Sequence, residues 1–456
     1  MSAKELSRRQ FIAGAGAAAL SLPFVDLRGA SAAEDRPNFV FILTDDQRYD
    51  AMSCAGHPFL RTPNMDRVAK EGVRFTNAFV TISLCSPSRA CFLTGQYAHR
   101  HGVVNNGNFK GQLPETFPQV LQKAGYETAY VGKWHMGNID DPRPGFDHWV
   151  SFKGQGAYWD PLLNINGQRV QTNGYVTDLL TAQAVEWLKK PKSKPFCLCL
   201  AHKAVHATFE PALRHSKLFE DVKIPRPASI RENLEGKPKW VREFQGTALA
   251  AKEDRLDNFI RNYNRTVVGI DDSVGRVLST LESLGVLDNT VVIFTSDNGF
   301  FQGEHGLKDK RAMYEESIRI PFLVRYPKLV HPETVNDQMV LNIDICPTIL
   351  DLAGAQPPNG TQGKSIRPLL KGKTSGWRTD FLYEYFREGG FAVPTNRGVR
   401  TRRWKYIEYP DSDNTPELYD LKNDPVEMRN LVNDASHAKT LAALKARLQK
   451  LLVETK

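Results

Sequence analysis

Carboxylate and amide side chains directly follow two apolar, strand-like segments of this chain. Asp45 and Asp46 end the first segment, and Asp297 and Asn298 end the second. Two adjacent carboxylates repel each other unless a cation neutralises them. Hard oxygen ligands select Ca²⁺ or Mg²⁺, and a flexible, mixed set of donors favours Ca²⁺. These two pairs are therefore a candidate metal site.

Basic side chains follow two further strand-like segments. Lys133 and His135 end one of them, and His202 and His206 follow the other. In open α/β sheets, ligands bind at the carboxyl ends of the strands. Four strands that end in polar, chemically capable residues therefore predict one shared site.

Cys85 lies near the start of the stretch from Leu84 to Gly95, which also contains Pro87 and Arg89. Proline is accepted in the first turn of a helix, and good helix formers follow it here. Cys85 is thus predicted at a helix N-terminus, where unsatisfied N–H groups and the helix dipole favour an anion. For an arbitrary cysteine, the ordinary interpretation is a buried thiol in a core.

The same stretch resembles the signature of the type I sulfatases, which belong to the alkaline phosphatase superfamily. It reads Cys-x-Pro-Ser-Arg followed by x-x-x-Leu-Thr-Gly, and every fixed position matches. The resemblance implies that a formylglycine-generating enzyme oxidises Cys85 to formylglycine, the catalytic aldehyde. It also implies that Ca²⁺ is bound by Asp45, Asp46, Asp297, Asn298 and the oxygen of modified Cys85. A thiol is a poor calcium ligand, whereas a hydrated aldehyde offers two oxygens.

The resemblance extends to the residues that would handle sulfate. Gly132-Lys133-Trp134-His135 resembles the Gly-Lys-Trp-His element of sulfatases, which implies that Lys133 holds a sulfate oxygen. His135 would orient or deprotonate a hydroxyl of the hydrated formylglycine. Lys310 matches the second sulfate-binding lysine, and Arg89 would pair with the modified side chain and the metal-bound carboxylates.

Two histidines are candidates for the leaving-group side of the reaction. His206 fits the family's histidine after the next strand and, with Lys310, would stabilise or protonate the departing alcohol. Val205 replaces the proline often found before it, so His202 stays an alternative. His305 is a candidate substrate contact that could touch the sugar or aid the leaving group, or it is a loop histidine without a role.

Strands that alternate with helices predict an α/β fold, with a large, mostly parallel sheet between helices. The predicted strands of the sheet are 38–44, 126–131, 196–200, 291–296 and 320–324, and the predicted helices are 63–71, 115–124, 175–190, 253–284 and 344–352. A proline- and charge-rich segment over 221–246 is expected to be a surface loop.

The sequence pattern changes after about Gly363. Residues 381–386 and 403–407 predict antiparallel strands, and residues 435–453 predict a terminal helix. The sequence therefore predicts a catalytic α/β domain over residues 36–360. A smaller α+β subdomain that contains an antiparallel sheet is predicted over 361–456.

Residues 1–32 have the pattern of a twin-arginine signal peptide. Arg8 and Arg9 precede an apolar run over residues 11–25, and Ala30-Ser31-Ala32 supplies a small-residue cleavage site. The run is too short for a confident membrane span, so we expect no stable membrane insertion. The pattern predicts export by the twin-arginine pathway to the periplasm or the medium, with a retained anchor as the alternative.

Composition excludes several other classes of protein. Hydrophobic residues make up 41% of the 456 residues and charged residues 24%, which is typical of a globular chain. The net charge of +9 is not gathered into a basic block, so nucleic acid is not an expected partner. Without Cys85, an odd number of cysteines is left, and their spacing matches no zinc motif.

The segment from Gly303 to Arg319 resembles carbohydrate sulfatases more than simple arylsulfatases. N-acetylglucosamine-6-sulfatase-like enzymes are the best match, and iduronate-2-sulfatase-like enzymes come next. The resemblance implies a sulfuric ester hydrolase acting on a sulfated carbohydrate, such as a glycosaminoglycan or a mucin glycan. The alternatives are an arylsulfatase or a phosphonate or phosphate ester hydrolase on the same scaffold, and an unmodified, metal-bound glycan-binding protein without turnover.

Overall fold

The computed structural model describes residues 36–107, 109, 111–244 and 253–456. The predicted signal peptide, residues 1–32, lies outside the described residues. Residues 36–456 form a single compact unit. The predicted division of this unit at residues 360 and 361 stays a prediction.

Strands of the described residues occur in a large sheet, two short ladders and a C-terminal sheet. In chain order they are β1 Asn38–Thr44, β2 Val73–Phe75, β3 Ala78–Phe79, β4 Glu127–Gly132, β5 His148–Ser151, β6 Leu162–Ile165, β7 Gln168–Gln171, β8 Phe196–Ala201, β9 Thr290–Ser296, β10 Phe301–Gln302, β11 Lys308–Asp309, β12 Phe322–Arg325, β13 Thr334–Asn336, β14 Val340–Leu341, β15 Asp380–Tyr385, β16 Asn396–Thr401, β17 Trp404–Glu408 and β18 Glu417–Asp420.

The helices range from single turns to one long helix that follows the proline-rich segment. They are α1 Pro63–Lys70, α2 Cys85–Thr94, α3 Ala98–His101, α4 Phe117–Lys123, α5 Val176–Lys189, α6 Lys239–Arg242, α7 Glu253–Ser283, α8 Glu315–Ile318, α9 Ile345–Leu352, α10 Arg367–Leu370 and α11 Ala438–Glu454.

The large sheet has ten strands in the order β13-β2-β12-β9-β1-β8-β4-β5-β6-β7. Its centre, β9-β1-β8-β4-β5, is parallel. Antiparallel pairs flank this centre, between β12 and β9 on one side and between β5 and β6 on the other. The prediction of a mostly parallel sheet is confirmed. The carboxyl ends of β1, β4, β8 and β9 consequently meet at one edge.

Strand β1 shows why these segments are continuous apolar runs. Phe39 and Phe41 lie in one hydrophobic cluster with Phe92 of α2. Val40 and Ile42 point to the opposite face, in a second cluster with Ile270 of α7. Because helices cover both faces of the sheet, neither side of β1 has room for a polar side chain.

The predicted elements agree with the structure in type, and most bounds differ by a few residues. Strand 38–44 has the predicted bounds, and helix 175–190 is one residue shorter at each end. Between residues 221 and 244 the described chain forms only a short 3₁₀ turn at Ala228–Arg231 and helix α6. The predicted surface loop therefore contains little regular structure.

The C-terminal sheet is separate from the large sheet and is antiparallel throughout, in the order β15-β16-β17-β18. Helix α11 buries Leu444, Leu448 and Leu451 in the core that this part of the chain shares with one face of the large sheet. The predicted antiparallel subdomain sheet and terminal helix are confirmed. None of the helices in the described part of the chain is both long and apolar enough to cross a bilayer.

Gly132 sits at the point where β4 ends and the chain turns toward Lys133. Its φ is +126°, and a Cβ there would lie 1.7 Å from the carbonyl oxygen of Ala201 on the neighbouring strand β8. The same carbonyl accepts a hydrogen bond from the Lys133 N–H at 2.8 Å. Only glycine fits this close approach, which sets the position of Lys133.

We expect Gly132→Ala to lower the free energy of unfolding by more than about 3 kcal/mol, because strained φ and a backbone clash combine. Chemical denaturation measures the change. Gly167→Ala is the matched control, since Gly167 also has a positive φ, +94°, but its Cβ would meet nothing within 4 Å. Its cost should be only about 1–2 kcal/mol. Equal costs for the two variants would contradict the clash.

Candidate active site

The acidic strand ends of β1 and β9 lie side by side, as their pairing in the sheet requires. The Asp46 N–H donates to Asp297 Oδ1 at 3.1 Å, and Asn298 Nδ2 donates to Asp46 Oδ1 at 2.6 Å. Asp45 is held from the other side, where its N–H donates to the Ala204 carbonyl at 3.1 Å. All four predicted metal ligands from these strands are 0% exposed.

Cys85 is the first residue of helix α2, so the predicted helix start is confirmed. Its Sγ lies 3.5 Å from Asp45 Oδ1, and the whole residue is buried. Burial, together with the charge of Asp45, raises the pKa of the thiol above its usual range. The cysteine is therefore a neutral thiol rather than a thiolate in this site.

One ligand atom from each of Asp45, Asp46, Cys85 and Asp297 lies within 4.8 Å of the others. A second observation shows what this cluster lacks. Asp46 Oδ2 and Asn298 Oδ1 are buried and have no hydrogen-bond donor among the described residues. Buried acceptors without partners are costly, and a divalent cation would satisfy both. The donor set thus fits a hard cation.

Basic side chains surround the carboxylates. Arg89 Nε donates to Asp297 Oδ2 at 2.9 Å, and Arg89 Nη2 lies 3.3 Å from Asp45 Oδ2. Lys133 is paired with Asp45, and Lys310 is paired with Asp46. Both lysines are buried, and both therefore point into the acidic cluster rather than into solvent.

The carboxylates differ in their pKa values because they differ in these neighbours. Burial alone would raise the pKa of Asp45, but the charges of Lys133, His206, Arg89 and Lys310 hold it well below its usual range. Burial and the adjacent carboxylates raise the pKa of Asp46 to about 7, although Lys310 opposes the shift. Asp46 is therefore the carboxylate whose charge a cation would stabilise most.

His206 and His135 stand at the open side of the cluster. His206 Nε2 lies 3.8 Å from Asp46 Oδ2, and its Nδ1 contacts the Ala207 carbonyl at 2.7 Å. Ser86 Oγ donates a hydrogen bond to the His135 carbonyl at 2.6 Å, which links His135 to helix α2. Burial and the charge of Lys133 lower the pKa of both imidazoles below the usual range.

These groups open into a cleft with a volume of about 550 Å³. Asp46, His135, His206 and Lys310 form its floor. Its walls combine polar and aromatic side chains, namely Asn106, Gln155, Lys308, Asp309, Arg311, Phe259, Phe300 and Phe391. The cleft is thus of ordinary size for a small-molecule site, with an anion-binding floor.

Two of the candidate histidines lie away from this cleft. His202 is buried, and its Nε2 is 3.0 Å from Ser273 Oγ on helix α7, so of these two alternatives the structure brings His206 and not His202 to the acidic cluster. His305 is also buried, with Nδ1 3.0 Å from Glu232 Oε1 and its ring stacked on Tyr314 at 4.5 Å. It does not line the cleft in the described part of the chain, and its contact with the sugar stays a prediction.

Several cleft residues were not singled out from the sequence. Gln155 comes from a loop after β5, and Asn106 precedes an irregular stretch, so neither follows an apolar strand. Glu388, beyond β15, accepts the Asn106 N–H at 2.8 Å and Arg311 Nε at 2.9 Å. The only sequence signal for Gln155 is the flanking glycine pair, Gly154 and Gly156, which marks a tight turn.

Comparison with known proteins places this chain in a family. The family model described as Sulfatase matches residues 37–355, and a second, described as N-sulphoglucosamine sulphohydrolase, C-terminal, matches residues 303–454. The N-acetylglucosamine-6-O-sulfatase of Bacteroides thetaiotaomicron is 36% identical, over 96% of this chain and 90% of that protein. The human N-acetylglucosamine-6-sulfatase is 33% identical, over 88% of this chain and 82% of its own length.

A solved structure gives the same result in three dimensions. It is a complex with its substrate, D-glucosamine-2-N,6-O-disulfate, and it superposes with a TM-score of 0.86 at 35% identity. The match covers 92% of this chain and 98% of that one. The phosphonate or phosphate ester hydrolase and the non-catalytic binding protein are not favoured by these relatives. The chain belongs to the sulfatase family and is a sulfuric ester hydrolase.

Proposed function

We propose that this enzyme removes the 6-O-sulfate of a glucosamine unit in a sulfated glycan, with formylglycine at position 85 and a bound Ca²⁺. The observation that carries the proposal is the meeting of Cys85, the buried carboxylates and two buried lysines at one sheet edge. The relatives that act on N-acetylglucosamine-6-sulfate, and the structure solved with a 6-O-sulfated glucosamine, support the choice of substrate.

The environment of Cys85 supports its oxidation by a formylglycine-generating enzyme. A thiol whose pKa is raised by burial is a weak nucleophile at neutral pH, and sulfur is a poor ligand for the hard cation that the carboxylates favour. When present, the hydrated aldehyde supplies a nucleophilic oxygen, and Ca²⁺ stabilises the negative charge that gathers there. Asp45, Asp46, Asp297 and Asn298 would hold the cation.

Lys133 and Lys310 provide the sulfate-binding charges. Each is now paired with a carboxylate that would also bind Ca²⁺, so metal binding would free their ammonium groups for the anionic ester. The start of helix α2 does not offer the free N–H groups expected from the sequence, because Pro87 has none and those of Ser86 and Ser88 donate to Asn106 Oδ1 and to the Leu84 carbonyl. Arg89, fully buried and paired with Asp297, keeps the carboxylates in position rather than contacting substrate.

His206 is the proposed acid on the leaving-group side. It is the cleft histidine that is partly open to solvent, with 17% side-chain exposure, and it lies against Asp46. Its Nδ1 faces the Ala207 carbonyl and keeps its proton, so the acid is the imidazolium, which the negative charge of a bound sulfate ester would favour. The Nε2 proton of this imidazolium would reach the alcohol oxygen as the S–O bond breaks, which leaves the sugar as a neutral alcohol. Lys308 lines the cleft as an exposed cation, where it suits an acidic glycan, whereas Arg311 is buried and paired with Asp309 and Glu388.

The proposed location is the periplasm or the medium. The twin-arginine pattern of residues 1–32 supports it, and relatives that are extracellular sulfatases agree with an exported enzyme.

The substrate test is desulfation of a panel of sulfated sugars by enzyme carrying the aldehyde. We expect release of sulfate from N-acetylglucosamine-6-sulfate and from 6-O-sulfated glucosamine. The 2-O- and 4-O-sulfated sugars and a phosphonate ester should react at least 100-fold more slowly. Ion chromatography measures the sulfate. Faster turnover of the phosphonate ester would refute the proposal.

Cys85→Ser is the matched control in a host that modifies only cysteine, because serine offers no aldehyde. We expect no sulfate release from it, and a mass spectrum of the residue-85 peptide should show the aldehyde only in the wild type. Full turnover by Cys85→Ser, or an unmodified thiol in an active wild type, would exclude the formylglycine mechanism.

His206→Ala should lower kcat by about 10²- to 10⁴-fold on a sugar sulfate, because the departing alcohol loses its proton donor. The melting temperature should change little. His202→Ala is the comparison variant, since His202 is buried and bonded to Ser273. It should lower the melting temperature and leave most of kcat in the folded enzyme. The reverse pattern would place the acid at His202.

Ca²⁺ should raise the melting temperature of the metal-free protein, because it binds only the folded acidic cluster. At 100 times its Kd the added stability would be about 2.7 kcal/mol. Asp46→Asn should remove most of the shift, whereas Asp411→Asn, which deletes an exposed carboxylate, should retain it. Differential scanning fluorimetry with Ca²⁺ and with Mg²⁺ measures both. No response of the wild type to Ca²⁺ would contradict the assignment.

A further inference from the structure

Gln155 is held in the cleft by a turn that only glycines allow. Gly154 and Gly156 flank it with φ values of +55° and +64°, and the Gly156 N–H donates to the Lys153 carbonyl at 3.2 Å. A Cβ on Gly156 would lie 2.5 Å from the ring of Phe152. The turn therefore fixes where the Gln155 side chain begins, and that side chain lines the cleft.

The amide of Gln155 bridges two residues of the active site. Its Oε1 accepts a hydrogen bond from Lys133 Nζ, and its Nε2 lies 3.2 Å from His135 Nε2. Lys133 and His135 are two residues apart, and they are brought to opposite ends of one amide group. Gln155 is thus in contact with the sulfate-binding lysine and with the neighbouring imidazole at once.

The chemistry of these groups permits one arrangement of hydrogens. The Lys133 ammonium has only donors, so the oxygen of the Gln155 amide must face it. The amide nitrogen, which has only donors, then faces His135 Nε2. His135 Nε2 must accept, and so it carries no proton. The imidazole is consequently neutral, with its proton on Nδ1.

We propose that Gln155 is a positioning residue that holds His135 as the neutral tautomer protonated on Nδ1. The inference rests on the proposed function of the site as a sulfatase centre. It assigns the resting state of His135, before any proton of the hydrated side chain moves. With Nε2 occupied by the amide, His135 presents Nδ1–H as a donor that orients an oxygen in the site.

Two observations agree with this assignment. His135 Nδ1 is buried and has no hydrogen-bond partner in the described structure, as expected of a donor that awaits an oxygen. The pKa of His135 lies below its usual range, since burial and Lys133 disfavour the charged ring. The titratable and charged groups that act on the ring are Lys133, Asp45, Arg89 and His206.

The first test reads the tautomer directly, in Ca²⁺-loaded enzyme labelled with ¹⁵N-histidine. A two-bond ¹H–¹⁵N correlation spectrum distinguishes the two neutral tautomers and the imidazolium. The His135 signals are those that vanish in His135→Asn. We expect Nδ1–H in the wild type. In Gln155→Glu, a carboxylate accepts where the amide donated, and His135 should change to Nε2–H or to the imidazolium.

The second test is kinetic, on the sugar sulfate that the enzyme hydrolyses best. Gln155→Leu keeps the bulk of the side chain but removes both hydrogen bonds, so kcat should fall at least about three- to tenfold, the worth of a single hydrogen bond. KM should stay within about twofold. Gln168→Leu, the same substitution on an exposed strand, is the control and should behave as the wild type.

An Nε2–H tautomer in the wild type would overturn the inference. So would an unchanged His135 spectrum in Gln155→Glu, or a Gln155→Leu variant with wild-type kcat. The tautomer is observable whether or not a given sugar is a substrate. Failure of the inference about Gln155 is therefore distinguishable from failure of the proposed function.

Discussion

The structure depends on one electrostatic constraint, the burial of three carboxylates at a single sheet edge. Asp45, Asp46 and Asp297 are fully buried, and like charges this close are tolerated only when positive charge lies among them. Arg89, Lys133 and Lys310 supply that charge from three different parts of the chain. The fold must therefore bring these parts together before the site can be stable, and the two lysines proposed to bind sulfate also serve as counter-ions.

The parallel sheet is what makes this possible from distant sequence positions. Its central strands are apolar on both faces, so their polar residues are confined to the ends, and parallel pairing gathers those ends at one edge. This is why the sequence was informative here. The bounds of β1 and the polar residues at the strand ends followed from where apolar runs stop. The start of helix α2 followed from Pro87, and the choice of His206 over His202 followed from the resemblance to sulfatases.

Other features could not be read from the chain, because they depend on contacts between loops. Gln155 follows no apolar strand, and nothing in its own segment says that its amide meets Lys133 and His135. His305 was a candidate contact with the sugar or a loop histidine without a role, yet Glu232 from the proline-rich segment and Tyr314 enclose it. Long-range burial of this kind has no local pattern in the sequence.

Glu388 links the C-terminal part of the chain to the cleft, since it accepts hydrogen bonds from Asn106 and from Arg311. Tyr383 on β15 also donates to the Arg311 carbonyl at 2.9 Å. This wall of the cleft is thus braced by a segment far in sequence from the buried carboxylates. Under the proposed function, substitutions near Glu388 would therefore change which glycan fits the cleft, while the buried carboxylates and lysines stay as they are.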